Sequence, residues 1–264
     1  MRCDPGRFSA AVMLLGAVLR ITSCAPGDRP VEFTTREFER TIDDCQQRPS
    51  PCAKLSLRYP EITHARTEQV RDSLNHGILQ PLLRSIDIEG SKASPQELAE
   101  ELFFYYDQVV KEFPDYAAQW YIERSARIVL DSLGILSVQY SDHLYTGGAH
   151  PLQQELYRLF DTRSGSLVTV DSLLAQGGKE PLLALAEREF RRVRAIPDER
   201  SLNSEGFWFR SGRFVLARNI GLTSRGLELA YNPYEIAPYA MGSTHLVLPY
   251  DSLKGVLDLA QRGG

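Results

Sequence analysis

The sequence predicts an α+β fold: an antiparallel β-sheet with helices packed on it, in two subdomains. Two observations predict it. Residues 67–113 carry apolar side chains at helical spacing, whereas Gln119–Asp131 and the segments after it alternate at period two. Helix-rich and strand-rich stretches are therefore segregated along the chain, the arrangement of α+β proteins. A chain of 264 residues is long enough to bury a large core, as one domain or two small ones.

The first element is a leader, residues 1–23. Arg2 and Arg7 form a short basic region, and Phe8–Leu19 is apolar. That run is too short to span a bilayer, which takes about 20 apolar residues, and fits the hydrophobic region of a secretory signal. Ile21-Thr22-Ser23-Cys24 then has the pattern of a lipobox, although Arg20 is unusual so near the cleavage site. The small side chains give a signal peptidase access to the bond before Cys24, whose thiol is the expected lipidation site. An ordinary cleaved signal and an uncleaved anchor are the alternatives. Cys24 to Pro30 is a tether, 31–115 a smaller α+β subdomain and 116–264 the main one.

Val31–Ile42 and Ala53–Tyr59 are expected strands around a cysteine loop, and Leu55, Leu57 and Tyr59 alternate. Thr67–Ile86 is an expected helix on Val70, Leu74, Ile78, Leu82 and Leu83. Ser94-Pro95-Gln96-Glu97 is a capping box opening a second helix, which Pro114 stops. Gln119–Asp131, Ile135–Leu144 and Leu152–Asp161 are strands, with Leu167–Leu173 leading away; together they suggest an antiparallel meander. Lys179–Arg194 is a helix buried through Leu182, Leu183, Leu185, Ala186 and Phe190. Gly206–Asn219 is expected to hold one or two strands, followed by strands Leu227–Tyr231 and Ser243–Pro249. Asp251–Gln261 is an expected final helix.

Export would place Cys45 and Cys52 in an oxidising compartment. Their spacing in a segment with two prolines then favours a local disulfide over a redox pair or a zinc site. The leader holds Arg2, Arg7, Arg20 and Asp4. Its removal takes the 30 basic and 34 acidic residues to 27 and 33, a net charge of −6. Dispersed, mildly acidic charge gives no electrostatic footprint for nucleic acid. There is no His-Glu-x-x-His, no Gly-x-Ser-x-Gly and no phosphate-binding glycine loop, and no cofactor is implied.

Five histidines remain. His143, His150 and His245 could meet as metal ligands, or His150 could bond to backbone in the turn Tyr145–Pro151, where Gly147 and Gly148 supply unusual dihedrals. Glu235, between Tyr234 and Pro238, could act as a general acid or could hold its loop in shape. Asp161 reads as a turn residue before Gly165. The loops Tyr145–Pro151 and Asn232–Gly242 are the candidate binding surface. Tyr145, His150, Tyr234 and Glu235 are its leading residues, with Tyr231 and Tyr239 either alongside them or in the core. The basic run Arg188–Arg194 is a solvated helix face or a surface for an acidic partner.

Two segments occur together in order: Tyr145-Thr-Gly-Gly-Ala-His150-Pro through Phe160-Asp161, Gly165 and Leu167, and Leu229-Ala-Tyr231-Asn-Pro-Tyr234-Glu235-Ile-Ala-Pro238 through Gly242, Leu248-Pro249-Tyr250 and Leu253. Over about residues 52–259 the chain resembles a family of extracytoplasmic domains of unknown function. These form the outer part of lysozyme-sensing anti-sigma factors of the RsiV type, and precede the catalytic domain of PdaC-type peptidoglycan deacetylases. The resemblance implies a binding or sensing module of the cell envelope, with lysozyme or peptidoglycan fragments as candidate partners and the membrane reached through Cys24. It implies no catalytic activity as such. An envelope glycan hydrolase or metal-dependent enzyme is the alternative.

Overall fold

A computed structural model describes residues 31–42, 45, 52–87, 89–115 and 118–259. The expected leader 1–23, the lipidation site Cys24 and the tether 24–30 lie outside the described residues. Within them the fold is α+β, with a six-stranded sheet, a second sheet of three strands, and three α-helices.

The large sheet holds β1 (Glu32–Ile42), β2 (Cys52–His64), β3 (Gln119–Ser132), β4 (Ile135–Tyr145), β5 (Leu152–Asp161) and β6 (Leu167–Val168), side by side in chain order. It takes β1 and β2 from the first expected subdomain and β3–β6 from the second. β3 to β6 form the expected antiparallel meander, but β2 and β3 run parallel. Between these two strands the chain passes through α1 (Glu68–Leu79) and α2 (Pro95–Glu112), a crossover of the kind parallel neighbours require. Cys45 and Cys52 are joined by a disulfide, with their Cα atoms 5.2 Å apart, so the chain between β1 and β2 is clipped where β2 begins.

α1 starts as its sequence dictates, with Thr67 Oγ1 accepting the Val70 N–H. It stops at Leu79, short of the expected Ile86. Pro81 has no N–H to continue the helical ladder, and the chain tightens into a 3₁₀ turn over Gln80–Leu83. α2 opens on the capping box: Ser94 Oγ accepts the Glu97 N–H, and the Glu97 carboxylate reaches back to the Ala93 N–H, both at 3.2 Å. Val70, Leu74 and Ile78 of α1 bury against Leu136, Val138 and Phe160. Leu98, Leu102 and Tyr106 of α2 bury against Ala53, Leu55, Trp120 and Ile122.

The second layer is built from α3 (Lys179–Arg194), β7 (Asn219–Thr223), β8 (Gly226–Tyr231) and β9 (Thr244–Pro249), the strands antiparallel in that order. β8 is buried at all six positions, so both of its faces are covered. Leu227, Leu229 and Tyr231 share a core with Phe190 of α3 and with Phe207, Phe209 and Phe214. The alternate position, Glu228, is turned to β5, where it accepts a hydrogen bond from Tyr157 Oη at 3.0 Å. The Tyr157 ring lies so near β7 that a Cβ at Gly221 would sit 2.2 Å from it.

Two expectations for this layer are corrected. Residues 206–218 form no strand; a 3₁₀ turn at Arg210–Gly212 interrupts them, and the first strand is β7. Phe207, Phe209 and Phe214 insert into the core from an irregular segment, and their near-alternation mimics strand periodicity. The expected helix Asp251–Gln261 is a short 3₁₀ turn, Tyr250–Leu253. Gly255, with φ of +76°, turns the chain out of any helical continuation.

Candidate functional site

The loop between β4 and β5 and the loop between β8 and β9 meet through one histidine. The His150 ring stacks on Tyr239 at a centroid distance of 3.7 Å. His150 Nε2 lies 2.9 Å from Tyr234 Oη, and Nδ1 lies 3.3 Å from the Pro151 carbonyl. Tyr239 completes the joint by donating from Oη to the Pro151 carbonyl at 3.0 Å. His150 therefore contacts backbone in its own turn, one of the two readings of the sequence, and also joins the second loop.

Tyr234 is exposed, with 51% of its surface accessible, as is His150. Its φ is +68°, in the left-handed region that side chains other than glycine and asparagine seldom enter. Glu235 holds the turn beside it. Its carboxylate accepts the Asn232 N–H at 2.9 Å, while its own N–H donates to the Asn232 carbonyl at 3.1 Å. That is the loop-shaping role weighed in the sequence. Tyr145 is directed elsewhere, against Tyr121 on the neighbouring strand. Tyr231 is core: it is 2% exposed and donates from Oη to the Val215 carbonyl.

The second loop is also fixed from below. Arg194, the last residue of α3, donates to the carbonyls of Met241 and Ser243 and to Thr244 Oγ1, and lies over the Phe207 ring. The remainder of the basic run is largely occupied as well. Arg191 pairs with Glu187 and two loop carbonyls, and Arg192 with Glu189. Sequence reasoning missed Arg194 as a loop anchor. Its one available signal was a cation at a helix C-terminus, which many surface helices share.

Beside Tyr234 lies an open groove of about 580 Å³, whose lining includes Leu156, Trp208, Val215 and Glu235. Trp208 and Val215 are 54% and 56% exposed. The Trp208 N–H donates to the Ile236 carbonyl at 2.7 Å, tying this wall to the same loop. Neither Trp208 nor Val215 was singled out in the sequence, because each sits in the segment that reads as a strand.

Elsewhere the candidates behave structurally. Asp161 Oδ1 accepts the N–H groups of Arg163 and Ser164, an Asx turn leading to Gly165. His245 lies 3.8 Å from Glu155, and His143 is opposite Gln153 in the β4–β5 register. Among the described residues, no three His, Cys, Asp or Glu side chains group closely enough to hold a metal ion, and no helix is long and apolar enough to cross a membrane.

A two-layer α+β domain with two loops joined through His150 is the class that fold and site define. Residues 46–153 match a family model described as "Deacetylase PdaC", and residues 171–251 match one described as "Protein of unknown function (DUF3298)". Each covers less than half of the chain. No curated protein matches the sequence. Among solved structures, the chain is similar to a DUF3298-family protein from Bacteroides fragilis, with a TM-score of 0.66 and 19% identity over 88% of this chain and 95% of that one. A DUF3298-family protein from Pseudomonas aeruginosa gives a TM-score of 0.61 and 19% identity over 88% and 96%. These likenesses show the fold.

Proposed function

We propose that the chain is a cell-envelope binding module, held at a membrane through a lipid on Cys24, that captures a partner protein on the face formed by Tyr234, Trp208 and Val215. The two family matches support an envelope-associated protein. The observation that carries the binding reading is Tyr234. A large, exposed ring sits at a positive φ that costs on the order of 1 kcal/mol, in a loop braced by His150, Glu235 and Arg194. Backbone strain alone favours glycine or asparagine at such a position, while the Tyr234 ring reaches His150 through Oη and leaves half of its surface open to a partner. Trp, Tyr and Arg are the residues that dominate protein interfaces, and the groove that Glu235 borders next to Tyr234 is lined by Trp208, Arg210 and Arg218.

Lysozyme is the first partner to test, and peptidoglycan fragments the second. Purified protein is passed over immobilised lysozyme and over cell-wall sacculi, alongside Trp208→Ala and Tyr234→Ala. Retention on lysozyme that falls at least tenfold in either variant supports the reading. Retention on neither material, or retention indifferent to both substitutions, overturns it. Radiolabelled palmitate tests the anchor in cells, and an unlabelled product removes it.

A further inference from the structure

A separate cavity of about 420 Å³ opens on the helix-covered side of the large sheet, between the 3₁₀ turn after α1 and the strands β3, β4 and β5. Its volume is in the range of small-molecule sites. Three arginines line it: Arg84, Arg124 and Arg158. Arg124 is 3% exposed, which is rare for a charged side chain. It is held rigidly: Nε donates to Asp142 Oδ1 at 3.0 Å, and Nη1 donates to the carbonyls of Leu82 and Arg84 at 2.9 and 2.6 Å. Its Nη2 makes no hydrogen bond among the described residues. Arg84 takes the other oxygen of the same carboxylate, Asp142 Oδ2, at 2.7 Å. One carboxylate is thus shared by two guanidinium groups.

Arg158 adds a third positive charge. Among the described residues its one hydrogen bond is long, 3.5 Å to the Gly77 carbonyl, and it has no carboxylate partner. Glu155 also borders the cavity, but its carboxylate is taken up by the Gln139 amide at 3.0 Å and lies near His245. Among the residues that line the cavity, Asp142 is the one carboxylate paired with these guanidinium groups, and it pairs with Arg84 and Arg124; outside the lining, Glu101 adds a second negative charge near Arg124. A partly buried excess of guanidinium charge, with fixed donors and an apolar wall of Pro81, Leu82 and Leu156, matches an oxyanion carried on a carbon skeleton.

We propose that this cavity binds a small organic acid of about monosaccharide or dipeptide size. Its carboxylate would sit between Arg124, Arg84 and Arg158, and its body against Pro81, Leu82 and Leu156. The assignment does not rest on the loop surface or on its partner protein.

Calorimetric titration of the full chain at millimolar ligand tests it with matched pairs: N-acetylmuramic acid against N-acetylglucosamine, alanyl-alanine against its C-terminal amide, and glucuronate against glucose. At least one acid binds, at least tenfold more tightly than its neutral counterpart. Arg84→Gln and Arg158→Gln, whose side chains brace no buried carboxylate alone, each weaken that acid by about tenfold while the melting temperature holds. Arg158→Lys retains part of the affinity. The proposal is overturned if no acid binds, if acid and neutral partner bind alike, or if the double variant Arg84→Gln/Arg158→Gln binds as the parent does. Inorganic sulfate binding as tightly as the best acid also overturns it, since the carbon body would then contribute nothing.

Discussion

At the scale of single residues, the chain spends stability at two tyrosines. Tyr234 holds a left-handed backbone at the surface, and Tyr140 buries a hydroxyl that has no hydrogen-bond partner among the described residues. Burial pushes the Tyr140 phenol well above its ordinary value, so it stays protonated and its proton has nothing to meet. Removing an unpaired buried polar group spares its desolvation cost. Tyr140→Phe is expected to stabilise the fold by about 1 kcal/mol, read as a raised melting temperature in differential scanning fluorimetry. An equal or lower melting temperature would mean that the hydroxyl is paired in solution. The sequence separates the two tyrosines in part, since Tyr140 lies in an expected strand and Tyr234 in an expected loop; that the Tyr140 hydroxyl lacks a partner follows only from the placement of β4 over α1.

At the scale of elements, Arg194 is the clearest link between secondary structure and the loop between β8 and β9. It ends α3 and supplies donors to Met241, Ser243 and Thr244. Arg194→Ala leaves two carbonyls without these donors, and is expected to cost about 2 kcal/mol and to speed amide hydrogen exchange through residues 239–244. Arg194→Lys should recover little, because one ammonium point charge cannot span three acceptors. Unchanged exchange in both variants would place the loop's order elsewhere. Most elements were legible in the sequence, since each strand of the meander and α3 carries an unbroken period and a clear end. The failures share a cause. Residues 206–218 and 251–261 have apolar spacing without regular backbone, because their side chains plug a core that other elements build. The site was legible in part. His150, Tyr234 and Glu235 lie in loops bounded by glycine and proline. Trp208 and the arginines around Asp142 converge from segments far apart in the chain, which no local pattern reports.

At the scale of the whole molecule, the two layers are joined by polar groups as well as by packing. Glu228 of β8 accepts hydrogen bonds from Tyr157 of β5, from Thr223 and from Arg225. Burial alone would push its carboxyl up, but these hydrogen bonds, together with the Arg225 charge, outweigh burial and hold it below the ordinary carboxylate value. Its contribution to stability is therefore complete above the unfolded-state pKa, roughly 4.3, and is lost as pH falls through the lower folded-state value. Glu228→Gln should lower stability near neutrality and flatten the acid limb of a melting-temperature profile; a profile parallel to the parent's would show that the joint does not titrate.

The other joint is the free edge of β5. The Asn219 side chain pairs with the Tyr157 N–H and the Glu155 carbonyl, and the Asn232 side chain with the Glu155 N–H and the same carbonyl, all within 2.6–2.9 Å. Two side-chain amides thus complete a backbone edge that β6 reaches only at Leu159 and Phe160. An amide in that office must never hydrolyse to an acid, because a carboxylate would lose the donor facing Glu155. Asparagine ages chiefly when the next backbone nitrogen attacks its side chain, and the residue after Asn232 is Pro233, whose ring nitrogen carries no hydrogen to surrender. The loop's proline therefore also sets a chemical lifetime, sparing the Asn232 half of the seam from slow deamidation.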